Sequence, residues 1–462
     1  MPFRIRLALS GLLLAAAATV AGAATAEGQP RGDIFPYKVQ QTLLDNGLQV
    51  VVIPYDSPGT VAYYTVVRTG ARDEVEASHS GFAHFFEHMM FRGTEKYSTD
   101  RYNEVMKRMG ADFNAFTSFD ETVYQVTGPA SELESIMDLE ADRFQNLKYS
   151  EKDFRTESLA VLGEYNKNFS NPVLPLREKL QGLAYEKHTY RHLPIGFLED
   201  IQAMPGYYQY SLGFFNRFYR PENCTLLVVG DVEPQRFFEL AQRYYGNWKR
   251  GYQKPAVQAE PPQTEPKKAH LDWPNPTRPY MTLGYHIPAF STTTVDSAAL
   301  DVIDELLFGD SAPLYQELVV EKQWVDTLSG TATSQRDPSL FTISVRAKSE
   351  DLLPKIKETI DRHVALLQKE PVDAKRLERI KSYLRNEFAL ALDTPDAVAE
   401  VAADMIALTG KVDDLNRLYE QYRKVTPADV QRLASQTFRP QNETQVTLAY
   451  KAPAASGKGG AQ

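Results

Sequence analysis

Residues 81–94 read GFAHFFEHMMFRGT, with two histidines four positions apart and a glutamate just before the second. Eight histidines and 60 acidic residues in 462 positions produce an H-x-x-[DE]-H match by chance in roughly two such chains per hundred, so the five residues alone do not define a site. Their physical content lies in helical geometry. Residues 80–91 contain no proline, Ser80 offers an N-cap, and the helical period puts His84 and His88 on one face about a turn apart, with Glu87 beside them. Two neutral imidazoles so placed are good zinc ligands. A catalytic zinc, however, takes three protein ligands and keeps a further position open, so a third ligand must come from elsewhere.

A second helical stretch offers one. SEKDFRTESLAVLGEYNKNF (150–169) opens with Ser150 and Asp153 at capping-box spacing. It places Glu157, Val161 and Glu164 in one stripe, with the two carboxylates seven residues apart. Alone, such a pair describes a solvated helix face; beside paired histidines it becomes a source of a carboxylate ligand.

Outside these stretches, 43% hydrophobic and 24% charged residues over 462 positions describe a globular chain long enough for two to four domains of ~150 residues. A net charge of −9 without a basic run excludes a general nucleic-acid binder. Residues 1–26, MPFRIRLALSGLLLAAAATVAGAATA, have the layout of a signal peptide: Arg4 and Arg6, an apolar run from Leu7 to about Val20, then small residues. The run is shorter than the ~20 residues of a spanning helix, so export without stable membrane insertion is expected. The single cysteine, Cys224, has no partner for an internal disulfide and sits in the strand pattern CTLLVVGDV, which predicts a buried, inert thiol.

The chain repeats itself weakly. FYRPENCTLLVVGD from Phe218 and TFRPQNETQVTLAY from Thr437 both run aromatic-Arg-Pro-x-Asn into a strand. Each is expected to close one domain, with a Pro-, Gln-, Lys- and Glu-rich linker over 249–270 between them. In the first half, TLLDNGLQVVVIPY predicts a hairpin turn and a strand, TVAYYTVVRTG a strand and TDRYNEVMKRMG a helix. In the second half RPYMTLGYHIPA predicts a strand, and DSAALDVIDELLF and PKIKETIDRHVALLQ predict amphipathic helices. The fold class is α+β: two homologous α/β sandwich domains of mixed, mostly antiparallel sheet, over 35–248 and 271–451, followed by a disordered tail over 452–462.

The motif His84-Phe85-Phe86-Glu87-His88, followed by Glu164 76 positions after His88, resembles the pitrilysin and insulin-degrading enzyme family, whose inverted zinc motif is H-x-x-E-H. NGLQVVV, VVRTGARDE, GFAHFFEHMMFRGTEKYS, GADFNAFTSFDETVY and GDV occur in that family's order and spacing. The length is similar to that of its half-size members, the β subunit of mitochondrial processing peptidase and bacterial periplasmic relatives. The resemblance implies one zinc ion per chain held by His84, His88 and Glu164, Glu87 as the base, and Glu157 orienting a ligand histidine. It also implies a substrate strand edge formed by Asn114, Ala115, Phe116 and Thr117 in the predicted hairpin 111–126, on which an extended peptide adds as a further strand. A periplasmic metalloendopeptidase acting on unfolded peptides or extended segments is the expected function.

One departure matters. Where active relatives carry an Arg and, seven residues on, a Tyr, this chain has Val320 and Thr327. Neither can stabilise a developing oxyanion, so the resemblance implies a heterodimer with a homologous half-size subunit that supplies the Arg and Tyr. A non-catalytic or weakly active peptide-binding or scaffold subunit of the same fold is the alternative. His188 and His192 are also four apart but lack a carboxylate in register and are expected in a structural loop; His79 is expected to be exposed.

Overall fold

The computed structural model describes residues 33–452. The leader over 1–26 and all but the first residue of the tail over 452–462 lie outside the described residues. Six strands, β1 (Gln40–Leu43), β2 (Gln49–Pro54), β3 (Thr60–Val67), β4 (Asp112–Thr117), β5 (Thr122–Pro129) and β6 (Cys224–Gly230), form one sheet in the order β1-β2-β6-β3-β5-β4. Five more, β7 (Lys267–Trp273), β8 (Tyr280–Ile287), β9 (Val325–Ala332), β10 (Ser339–Ala347) and β11 (Glu443–Tyr450), form a second in the order β7-β11-β8-β10-β9. Each sheet has one parallel pair, β2 with β6 and β7 with β11; the fold is α+β with mixed, mostly antiparallel sheets.

The repeated Arg-Pro-x-Asn segments hold equivalent places. Each makes a single 3-10 turn and feeds a strand that inserts between the first and second long strands of its sheet, β6 between β2 and β3, β11 between β7 and β8. The repeated asparagine does the same work in both: Nδ2 of Asn223 donates to Phe218 O at 3.0 Å and that of Asn442 to Thr437 O at 2.8 Å. Cys224 is buried at the start of β6, and burial pushes its thiol pKa up.

β2 and β6 are continuous apolar runs, QVVVIP and CTLLVVG, because both faces of the first sheet are covered. One face packs Val50, Val52, Tyr63 and Val228 against first-half helices, among them α1 (Phe82–Met89) and α3 (Leu133–Asn146). α2 (Thr99–Met109) lies beside β4, and α4 (Glu151–Phe169) packs on α1. The other face, with Val51, Ile53, Ala62 and Tyr64, is covered by the helix Pro395–Thr409 from the second half. The exchange is reciprocal: α5 (Val173–Ala184) leaves the first half and lies on the second sheet. There Leu176 and Leu180 meet Leu340, Val446 and Leu448. Gly284 in β8 makes that approach possible, since a Cβ there would lie 3.2 Å from Leu180 Cδ1. The two expected sandwiches are present, and each takes a covering helix from the other.

Two expectations are corrected. DSAALDVIDELLF does form the helix Asp296–Phe308, but it is buried on nearly every side, Asp304 and Glu305 included, because β9 and several helices surround it. The linker expected over 249–270 ends earlier, since β7 begins at Lys267. It is also tied down: Glu260 accepts the backbone N–H groups of Glu186, Lys187 and His188 at 2.8–2.9 Å, and Gln263 Nε2 donates to Gln441 O and Glu443 O.

Candidate metal centre

The helix carrying the histidines is shorter than the 80–91 span and starts differently from expectation. Ser80 is not the N-cap. Its hydroxyl donates to Asp200 Oδ2 at 2.5 Å and accepts from Phe197 N–H at 2.9 Å. Gly81 occupies the cap position at φ 89°, where a Cβ would lie 2.6 Å from Ile195 O, so only glycine fits. The open N–H groups go to Glu74, whose Oε2 accepts from Gly81 N–H at 2.8 Å and Oε1 from Ala83 N–H at 2.6 Å. A carboxylate there also suits the positive end of the helix. Burial pushes the Glu74 pKa well up, with the two backbone donors opposing it.

α1 buries Phe82, Phe85, Phe86 and Met89, and Phe86 stacks on Phe214 with ring centroids 5.1 Å apart. Tyr124 OH donates to Phe86 O at 3.1 Å. With that face committed to the core, His84, Glu87 and His88 are left on the open side. α4 follows its sequence reading, with Ser150 and Asp153 forming a reciprocal capping box, and it presents Glu157 and Glu164 to α1.

The structure brings His84, His88 and Glu164 together from these two helices; among the described residues they are the group of His, Cys, Asp and Glu side chains able to hold a metal ion. His84 Nε2 lies 3.6 Å and His88 Nε2 3.4 Å from Glu164 Oε2. Ligand atoms ~2.0–2.1 Å from a tetrahedral zinc stand about 3.3–3.4 Å from one another, so both imidazole–carboxylate separations stand close to what such a site requires, and all three atoms lie within 4.8 Å of one another. Two nitrogens and one carboxylate oxygen are also a donor set zinc accepts.

Glu157 is placed behind His88. Its Oε1 lies 2.9 Å from His88 Nδ1, and its Oε2 accepts from Arg92 Nε at 2.5 Å and from Arg92 Nη2. With Nδ1–H donated to Glu157, Nε2 is the nitrogen left for a metal. Burial raises the Glu157 pKa, but His88 and Arg92 outweigh it and hold it below the usual range. Glu164 is held low chiefly by His88. For His88, burial works against the charged form, yet the hydrogen bonds to Glu157 and Glu164 prevail and carry its pKa to about 9. His84 is the opposite case, lowered by burial; its Nδ1 is buried with no hydrogen-bond partner among the described residues.

Glu87, on the same open side as the candidate ligands, is also tied to β4. Thr117 Oγ1, at the end of β4, donates to Glu87 Oε2 at 2.7 Å. β4 is the outer strand of its sheet, so Asn114, Ala115, Phe116 and Thr117 pair with β5 on one side, and no strand pairs with them on the other among the described residues. Asn114 is exposed, Phe116 and Thr117 are half-buried, and Ala115 is buried. Val320 lies in the π-helical turn Gln316–Glu321 with 51% of its surface exposed, and Thr327 is in β9.

His188 and His192 belong to no candidate metal-holding group among the described residues: His188 Nε2 is 3.0 Å from Asp337 Oδ2, and His192 is buried with Nδ1 3.1 Å from Leu193 O. His79, expected to be exposed, is half-buried, with its ring against Tyr207 and Tyr210 at centroid distances of 4.4 and 4.1 Å. Sequence reasoning missed Glu74 and Arg92. Arg92 follows His88 by one helical turn and could have been found by spacing; Glu74 reaches the helix from a preceding loop and carries no local signal.

No helix among the described residues is long and apolar enough to cross a membrane. Two family profiles match the chain: "Insulinase (Peptidase family M16)" over residues 50–194 and "Peptidase M16 inactive domain" over 208–384. The "Zinc protease PqqE" of Helicobacter pylori is 29% identical over 428 residues, covering 89% of this chain and 93% of that protein. The "Probable mitochondrial-processing peptidase subunit beta" of Schizosaccharomyces pombe is 24% identical over 414 residues, covering 86% and 88%. Among solved structures, that of a protease from Helicobacter pylori superposes with a TM-score of 0.83 at 28% identity, covering 89% of this chain and 99% of that one. The two profiles, the relatives covered over nearly their full length and the superposed structure thus lead to one assignment: the chain belongs to peptidase family M16, the pitrilysin and insulin-degrading enzyme family, as one of its half-size members.

Proposed function

We propose that the chain is a periplasmic zinc metalloendopeptidase that cuts unfolded peptides or extended segments, acting as the zinc-bearing subunit of a heterodimer. The observation that carries the reading is the placement of His84 Nε2 and His88 Nε2 at 3.6 and 3.4 Å from Glu164 Oε2, on the open side of α1 beside Glu87. A zinc ion held there would polarise a peptide carbonyl as a Lewis acid and acidify water toward neutrality. Glu87, held through one oxygen by Thr117, takes the proton of the attacking water on its other oxygen and returns it to the leaving amine. The free edge of β4 pairs with the backbone of an extended peptide, which tolerates many sequences and rejects folded chains whose backbone is already paired. Val320 and Thr327 supply neither charge nor phenol for the oxyanion, a function in which one donor is worth ~3–4 kcal/mol; the partner subunit supplies it. The apolar leader over 1–26 supports export.

The same two residues favour a second reading, a peptide-binding or scaffold subunit with little turnover. Purified chain, alone and mixed with a sister half-size subunit, separates the two. Bound zinc together with cleavage of an unfolded protein by the mixture supports the peptidase, and Glu87→Gln is expected to keep the zinc and abolish cleavage. Full activity in Glu87→Gln would remove the proposed base, and binding without cleavage in the mixture would leave the scaffold reading.

A further inference from the structure

Arg336 lies in the turn between β9 and β10, in the half of the chain that holds no metal ligand, yet its polar atoms end in the first half. Its backbone N–H donates to Asp120 Oδ2 at 2.9 Å and its Nε to Asp120 Oδ1 at 3.1 Å. Its Nη2 donates to the Asp120 carbonyl at 2.8 Å and to Asp73 Oδ2 at 2.9 Å. Asp73 is fully enclosed, Asp120 is 2% exposed, and the Arg336 side chain is 13% exposed. Tyr190 OH adds a bond to Asp120 Oδ1 at 2.8 Å. Two adjacent carboxylates closed off from water require a fixed cation, and the planar guanidinium fork reaches both. Asp337, the next residue, joins Arg72 Nε at 2.6 Å and His188 Nε2 at 3.0 Å, so the whole turn is keyed into the first half.

The element so clamped is the end of β4. Asp120 sits in the tight connection from β4 to β5, whose Ser118 and Phe119 carbonyls also accept from Ala71 and Arg72 N–H. Three residues before Asp120 stands Thr117, the donor to Glu87. Arg72 also reaches the pair, with Nη1 3.2 Å from Asp73 Oδ1 and Nε 4.0 Å from Asp120 Oδ1, but it makes no hydrogen bond to Asp120; without the Arg336 guanidinium that carboxylate loses its bonded cation, in the part of the hairpin that sheet pairing supports least.

We infer that Arg336 is a positioning residue for the peptide-binding edge: from the second half it holds the β4–β5 connection, and with it the place of Thr117 against Glu87. The inference rests on the reading of β4 as the edge that receives substrate. It gives the half without metal ligands a part in the site.

Hydrogen exchange on the zinc-loaded full chain tests it, comparing the native protein with Arg336→Met and Arg336→Lys. Arg336→Met is expected to speed exchange over residues 112–122 about tenfold while α1 and α4 keep their protection and zinc content is unchanged. Arg336→Lys, which keeps the charge but loses the fork, is expected to fall between. Should Arg336→Met not fold, Asp120→Asn removes the charge without changing size and is expected to act in the same direction. In a Glu87→Gln background, binding of fluorescein-labelled carboxymethylated α-lactalbumin, a permanently unfolded chain, is expected to weaken about tenfold with Arg336→Met. Unchanged exchange over 112–122, or a rise no larger than that of the whole chain, overturns the inference. If the Glu87→Gln parent binds no unfolded chain at all, the edge reading itself fails, and the exchange pattern distinguishes that failure because it needs no peptide.

Discussion

Glu157 Oε1 accepts the Nδ1–H of His88 at 2.9 Å while its other oxygen holds Arg92, so one carboxylate sets both the tautomer and the direction of a candidate zinc ligand. Replacing it by alanine leaves the imidazole unheld and Arg92 without its partner. Glu157→Ala is expected to weaken zinc binding by about 10–100-fold, as loss of such outer support does elsewhere, read by competition with a chelator. An affinity equal to that of the native chain would show that Glu157 has no hold on the metal.

Zinc loading should also release a proton. In the metal-free protein His88 titrates at about 9, raised by Glu157 and Glu164 against the effect of burial. Because the shift is upward, the charged form and the stability it brings are present below about 6.5 and lost as pH rises through about 9. A metal needs the neutral ring, so affinity is expected to climb with pH up to about 9, with close to one proton released per zinc at pH 7. Calorimetry in buffers of different ionisation enthalpy measures that proton; no release at pH 7 would contradict it.

Acid stability has a separate source in His192. Burial lowers its pKa to about 4, so the folded state holds it neutral where the unfolded chain would charge it. The sign follows directly: the neutral ring contributes nothing adverse above about 6.5, and stability is lost as pH falls from there toward about 4. The shift corresponds to about 3 kcal/mol at full extent. His192→Gln is expected to lose less stability than the native chain between pH 7 and pH 4, measured by urea unfolding at each pH; parallel losses would place the acid sensitivity elsewhere.

The segment between the halves is a staple as well as a connection. Glu260 caps three successive N–H groups at 186–188, just where α5 returns from the second sheet. Glu260→Ala is expected to cost about 1–2 kcal/mol, seen as a lower urea midpoint with the zinc content retained. A midpoint within error of the native value would mean that the loop holds its shape unaided.

How much was legible beforehand varies with the reach of the interaction. The capping box of Ser150 and Asp153 is local, and α4 begins where that spacing says. Ser80 carries an equally good local signal, and tertiary structure overrode it, because Asp200 takes its hydroxyl and Glu74 reaches in to cap the helix instead. The amphipathic reading of DSAALDVIDELLF failed for a related reason: a pattern records which residues prefer burial, and packing decides how many sides are covered.

By itself the sequence determined the two helices of the site, the face of each that bears His84 and His88 or Glu157 and Glu164, the hairpin of β4 and β5, and the internal repeat. All of these rest on periods of two to four residues and on cap chemistry, which a linear chain displays directly. Only the tertiary structure decided that the α1 and α4 faces meet, with Glu164 Oε2 3.6 and 3.4 Å from the two imidazoles, that α5 and the helix Pro395–Thr409 cross to cover each other's sheets, and that Arg336 enters the first half. The physical reason is that a run of apolar residues states that a face must be covered, and a charge that it must be paired, while the identity of the cover and the partner depends on the path of the whole chain.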